Sequence, residues 1–211
     1  MSDVLCVQWT IIPQTAPQPW LPCRRCGDIR PFSSSGKARV NANGKRIDAW
    51  LIYRCIDCDG TWNRPLLERR NVRSIDPDLL HALRTNDPEW TARLAFDLDD
   101  LRRSAERVEE FGDVEVRKNV VSGNPHSAAK MEIHLAAPSK TSLRVDRLLA
   151  NELGLSRSRI QALHDKECLT ATADRHFMRR PAKHGMRIAL DLSGESDRHL
   201  VAMTAAGVDS S

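Results

Sequence analysis

Four cysteines carry the most specific chemistry in this chain of 211 residues: Cys23 and Cys26, then twenty-eight residues, then Cys55 and Cys58. In a Cys-x-x-Cys turn both sulfurs can reach one ion, and two such turns on adjacent hairpins close a tetrahedron of thiolates. The spacing predicts a structural zinc site with Cys23, Cys26, Cys55 and Cys58 as ligands. Two other chemistries use the same residues, a pair of disulfides and a thioredoxin-like redox pair. Disulfides need an oxidising compartment, and the opening Met1-Ser2-Asp3-Val4-Leu5-Cys6 carries no export signal. A redox pair does not call for a second copy. With cysteine at all four positions no coordination site is open to water or substrate, so catalysis at the metal is not expected.

The second candidate is cationic. Val145, Leu148, Leu149 and Leu153 fall on one helical face, and Gly154 ends that helix. Ser156 is placed to cap a second helix, residues 157–166, with Ile160 and Leu163 inward. Arg144 and Arg147 stand three apart on the first helix, and Arg157 and Arg159 occupy the opening turn of the second. A helix N-terminus bearing two arginines suits phosphate, because free N–H groups, the positive dipole end and guanidinium forks converge there. Arg175, Arg179, Arg180 and Lys183 add charge downstream. Phe177 is the one aromatic near them, which favours recognition of backbone and shape over stacking on single-stranded bases.

The elements that must position these residues follow from local pattern. Residues 1–22 are rich in proline (Pro13, Pro17, Pro19, Pro22) and read as an extended arm, with Trp9 and Trp20 packing back on the ribbon core. Asn43-Gly44 marks a tight turn, and the β-branched and aromatic run from Ile47 to Arg54 delivers Cys55. Thr61-Trp62-Asn63 leaves the second knuckle as a short strand, with the ion supplying most of the small core. Asp76-Pro77 and Asn86-Asp87-Pro88 open helices, and Asp97 or Asp99 opens a third through Leu101, Ala105 and Val108 to Gly112. The acidic residues there complement helix dipoles, and the adjacent pair Asp99 and Asp100 is assigned no chemistry. Val114 and Val116 suggest a strand, and Met131, Ile133 and Leu135 another, with His134 on the opposite face of the latter. Cys6 and Cys168 read as small buried residues.

Charge is segregated. Residues 1–75 hold 12 Lys/Arg against 6 Asp/Glu, residues 76–111 hold 5 against 10, and residues 143–192 hold 10 against 6. Two basic modules joined by an acidic stretch permit polyanion binding at either end. No segment has the roughly 18 apolar residues of a membrane span, so a soluble, cytoplasmic protein is expected.

The run SSSGKARVNANGKRIDAWLIYRC with the trailing CDGTWN resembles a bacterial family catalogued as domain of unknown function 1062, from about Trp9 to Asn63 and onward. That resemblance implies a fold and carries no activity. RVDRLLANELGLSRSRIQAL resembles the S4 RNA-binding domain, in which two helices pack on a small sheet and present basic residues to structured RNA. FMRRPAKHGMRIALDL resembles that fold's closing strands, with Gly185 at the turn. By this resemblance Arg144, Arg147, Ser156, Arg157, Ser158, Arg159 and Gln161 are the RNA-binding positions. The chain departs from the pattern where Glu167 stands in place of a glycine and where Gly185 is followed by Met186 rather than aspartate.

The expected fold class is α+β: an N-terminal four-cysteine zinc ribbon, central helices, and a C-terminal S4-like helix pair on a small β-sheet. The expected divisions are 1–74 (ribbon with its arm), 75–111 (acidic helices), 112–142 (two-strand connector), 143–192 (S4-like domain) and 193–211 (flexible tail). The implied function is non-enzymatic recognition of structured RNA, with ribosomal and transfer RNA as candidates and zinc as a structural cofactor. The alternative is a protein-interaction adaptor with a degenerate S4-like domain.

Overall fold

The computed structural model describes residues 4–172 and 176–208, so Arg175 lies outside the described residues, as do Ala173 and the end of the tail. The chain forms two compact units, one from residues 15–111 and one from residues 1–14 with 112–211. The first is therefore an insertion in the second.

In the inserted unit an antiparallel sheet runs in the order β5-β4-β3-β2-β6. Its strands are β2 (Gln18–Cys23), β3 (Asp28–Asn43), β4 (Arg46–Cys55), β5 (Thr61–Asn71) and β6 (Arg107–Glu109). Asn43 pairs with Arg46, and Gly44 takes a φ of +60° at the turn between them. Three helices follow, α1 (Pro77–Thr85), α2 (Pro88–Ala95) and α3 (Leu98–Ser104), capped by the side chains of Asp76, Asp87 and Asp97. Leu21, Phe32, Leu51, Tyr53, Ala95, Leu101 and Ala105 share one core with Cys23 and Cys55. Packed side chains, rather than an ion alone, thus fill this unit. The third helix stops at Ser104, short of the expected Gly112. Val108 instead lies in β6, where it pairs with Pro19. Arg107 stacks 3.9 Å over the Trp20 ring, and Glu109 accepts from Trp20 Nε1 at 3.1 Å.

The discontinuous unit is a five-stranded sheet in the order β7-β1-β8-β10-β9. Its strands are β1 (Val4–Pro13), β7 (Val114–Ser122), β8 (Lys130–Ala136), β9 (Leu169–Ala171) and β10 (Arg187–Asp191), and its helices are α4 (Val145–Leu153), α5 (Arg157–Asp165) and α6 (Arg198–Ala206). Strand β1 pairs antiparallel with β7 and parallel with β8. Leu5, Val7, Trp9 and Ile11 alternate into a core shared with Met131, Ile133, Leu135, Leu148, Leu149, Ile160, Leu163 and Val201.

Three expectations fail here. The first stretch is extended but split between the units: Trp20 lies in the ribbon unit as expected, whereas Trp9 is fully buried in the other unit and donates from Nε1 to the Ala205 carbonyl at 2.8 Å. Nor are the described residues of the expected tail, up to 208, a flexible end, since α6 buries Val201, Ala202, Ala205 and Ala206. Both β1 and α6 are held in the same apolar core. The stretch 112–142 is likewise no connector, because β7 and β8 flank β1 on either side.

The insertion leaves and returns at one place. Pro13 pairs with Val114, and Gln14 N–H donates to the Asp113 carbonyl at 3.1 Å. Within the inserted unit, Gln18 pairs with Glu109.

Candidate metal centre and basic helix pair

Each cysteine pair sits where a strand ends in a tight turn. Cys23 closes β2 and Cys55 closes β4, with Cys26 and Cys58 in the turns that follow. The turns match: Gly27 N–H donates to the Cys23 carbonyl at 2.9 Å, and Asp59 N–H to the Cys55 carbonyl at 3.0 Å. Gly27 and Asp59 both adopt positive φ, +74° and +58°. The four sulfurs all lie within 4.8 Å of one another. Cys23 Sγ is 3.4 Å from Cys58 Sγ, and Cys26 Sγ is 3.9 Å from Cys55 Sγ. A disulfide requires about 2 Å, and all four cysteines are free thiols. A regular tetrahedron with metal–sulfur bonds of about 2.3 Å has sulfur–sulfur edges of about 3.8 Å. The cluster can therefore hold a metal ion such as zinc with little adjustment.

Its surroundings fit an ion as well. A Cβ on Gly60 would stand 3.2 Å from Cys58 Sγ and 3.3 Å from Cys23 Sγ, so glycine is what lets the backbone close over the sulfurs. The Cys26 backbone N–H is the main influence drawing the Cys23 thiol down to about 6. Cys26 is pushed up to about 12, first by its hydrogen bond with Cys58 and then by burial. One thiolate is thus favoured and a second opposed, a conflict that a divalent cation removes.

Of the predicted RNA-binding residues, Arg144 and Arg157 converge on one carboxylate while Arg159 and Gln161 turn to other partners. Arg144 precedes α4 and pairs with Asp146 Oδ2 at 2.7 Å, and Arg157 reaches the same oxygen at 2.8 Å. Burial works against the Asp146 charge, but the Arg157 hydrogen bond and the nearby Arg144 outweigh it and hold the carboxyl below the usual range. Arg159 forks onto Asp197, with Nη1 to Oδ2 at 2.6 Å, and also reaches Glu195. These bonds lower the Asp197 carboxyl and raise the already high arginine pKa. Ser156 caps α5 by accepting from Arg159 N–H at 3.2 Å, and its hydroxyl lies 2.9 Å from that of Ser158. Gln161 bonds Asp165 at 2.8 Å. Arg147 is exposed, and its backbone N–H donates to Asp146 Oδ1. Leu143 and Val145 exchange backbone hydrogen bonds with Ala182 and Arg180, which lays the later basic segment beside the start of α4.

Sequence reasoning missed the carboxylates. Asp146 is visible in Arg144-Val-Asp-Arg147 as an acid between two bases, whereas the reach of Glu195 and Asp197 to Arg159 carries no local signal. It also missed Arg64, whose side chain is 1% exposed. Arg64 bonds Asp100, the Tyr53 hydroxyl at 3.2 Å and the Leu94 carbonyl at 2.8 Å. Asp100 therefore holds α3 to the sheet. His134 is half-buried and lies 2.8 Å from Glu132, while Cys6 and Cys168 are half-exposed rather than buried.

The chain belongs to the family described as protein of unknown function (DUF1062), whose profile matches residues 40–175. That span takes in Cys55, Cys58 and the arginines from Arg144 to Arg159, while Cys23 and Cys26 precede it. No curated protein and no solved structure matches. Among the described residues no helix is long and apolar enough to cross a membrane.

Proposed function

We propose that this is a non-enzymatic, cytoplasmic RNA-binding protein in which a zinc ribbon is structural and an S4-like element grips structured RNA, ribosomal or transfer RNA being the candidate class. The observation that carries the reading is the convergence of Arg144 and Arg157 on one Asp146 oxygen. A guanidinium has five donors, and the shared carboxylate uses few of them. It orients both forks while their side chains remain 43% and 63% exposed. With the exposed Arg147, this makes a preorganised cationic edge at the N-terminus of α5. Two details support the S4 resemblance. Glu167 holds a φ of +58°, the left-handed backbone of the glycine it replaces, and Gly185 turns at +78°.

Support for zinc is the all-sulfur donor set at tetrahedral spacing. The closed donor set also supports a non-catalytic role. Arg159, committed to two carboxylates, and Gln161, bonded to Asp165, are left out of the contact set, which becomes Arg144, Arg147, Arg157, Ser156 and Ser158.

The test is binding of unfractionated transfer RNA by fluorescence anisotropy across a salt series. Arg147→Glu should weaken binding at least tenfold while leaving the thermal unfolding curve unchanged. Equal affinity in that variant refutes the assignment. One observation favours the adaptor reading instead: three carboxylates offset the four arginines of this surface. Partners that survive nuclease treatment in a pull-down, from a protein that does not bind RNA, would establish it.

A further inference from the structure

The segment joining β10 to α6 is Leu192-Ser193-Gly194-Glu195-Ser196-Asp197. It is anchored at both ends. At one end Asp191 Oδ1 accepts the Ser193 N–H at 2.9 Å and Glu195 N–H donates to the Leu192 carbonyl at 2.9 Å. At the other, α6 is fixed by its buried stripe, by Trp9 and by Lys118, whose Nζ donates to the Thr204 carbonyl at 3.0 Å. The backbones of Glu195 and Asp197 are thus fixed, their carbonyls accepting from the Arg198 and Val201 N–H groups, and only the two carboxylate side chains need swing off Arg159 to free it. These carboxylates close on Arg159 in the first turns of α5, the end of that helix where a polyanion's phosphates are favoured. Both carboxylates and the guanidinium stay partly open to solvent, at 24%, 34% and 33% exposure. An incoming phosphate can therefore reach the pair.

We propose that Glu195 and Asp197 are an autoinhibitory acidic clamp, occupying Arg159 in place of RNA phosphate and releasing it when a polyanion of sufficient charge displaces them. The clamp rests on the RNA-binding reading above. It explains why a cationic helix start is furnished with its own anions, and it makes Arg159 a latent contact rather than a standing one. Ligands with few phosphates leave the clamp shut; a long folded RNA opens it, so the clamp raises the charge threshold for tight binding.

The experiment uses the full chain, unfractionated transfer RNA and a salt titration. The double variant Glu195→Gln/Asp197→Asn should bind about tenfold tighter than wild type. Its slope of log affinity against log salt should steepen by about 0.7–0.9, the value of one added phosphate contact. Adding Arg159→Gln to that double variant should cancel both gains. Asp197→Asn alone, which keeps the Glu195 pair, should lie between wild type and the double variant and guards against misfolding of the latter. Unchanged affinity and slope in the double variant overturn the clamp while leaving the RNA reading intact. A gain that survives Arg159→Gln overturns it too, because the effect is then one of net charge. If neither wild type nor variant binds, the clamp and the RNA reading fall together.

Discussion

Asp146→Asn isolates what one carboxylate does for the helix pair. The substitution keeps an acceptor for the Arg147 N–H, now 2.9 Å from Oδ1, and removes the charge shared by Arg144 and Arg157. Hydrogen bonds to charged groups contribute about 1.5–3 kcal/mol each, but both arginines face solvent, which pulls the net effect toward the low end. A loss of about 2 kcal/mol is expected, equivalent to about thirtyfold in the opening equilibrium. Hydrogen exchange read on peptides from α4 and α5 measures that ratio directly. The sign of its pH dependence follows from the carboxyl's lowered pKa in the folded chain. The contribution is complete above the unfolded value of about 3.9 and is lost as pH falls through the lower folded value. The variant-to-wild-type exchange ratio should therefore stay near thirty at neutral pH and collapse toward one in acid. Equal exchange at neutral pH, or a ratio that persists in acid, refutes the reasoning.

Other substitutions probe the rest of the molecule. Chelation, or Cys58→Ser, should abolish stoichiometric zinc measured by mass spectrometry and lower the melting temperature of the inserted unit, with the α4–α5 peptides less affected. Gly60→Ala should weaken zinc retention against a competing chelator, because the added methyl meets two sulfurs at 3.2 and 3.3 Å. Arg64→Met should cost about 3 kcal/mol in urea unfolding, at the lower end for breaking a buried pair because Asp100 keeps Arg103. Deleting residues 198–211 should leave Trp9 exposed, read as a red-shifted emission in a chain whose other four tryptophans are changed to phenylalanine.

What could be read from sequence was whatever repeats at short range. Each Cys-x-x-Cys turn, the Asp-Pro helix starts and the leucine stripe of α4 lie within about a dozen residues, and each is present in the structure. The membership of β1 was hidden because its partners, β7 and β8, stand more than a hundred residues away and the prolines that follow from Pro13 to Pro22 spoke louder than its alternation. Helix α6 was missed because alanines make up most of its buried stripe, and their apolar signal is faint. Arg64 gave no cue at all. A single arginine in a strand reads as surface until Tyr53, Leu94 and Asp100 are folded around it.

The doubled junction of the insertion has a thermodynamic consequence. Pairing of Pro13 with Val114 closes a loop that holds the whole inserted unit, and pairing of Gln18 with Glu109 already closes most of that loop from within. While the inserted unit is folded, the β1–β7 ladder has only a few free residues on each side to order. If it unfolds, the ladder must close a loop of roughly a hundred residues, and the entropic penalty rises by about 2 kcal/mol. Metal occupancy can thus reach β1 of the other unit through chain connectivity alone: an ion bound at Cys23, Cys26, Cys55 and Cys58 shortens, in effect, the polymer that Trp9 must cross to find Ala205.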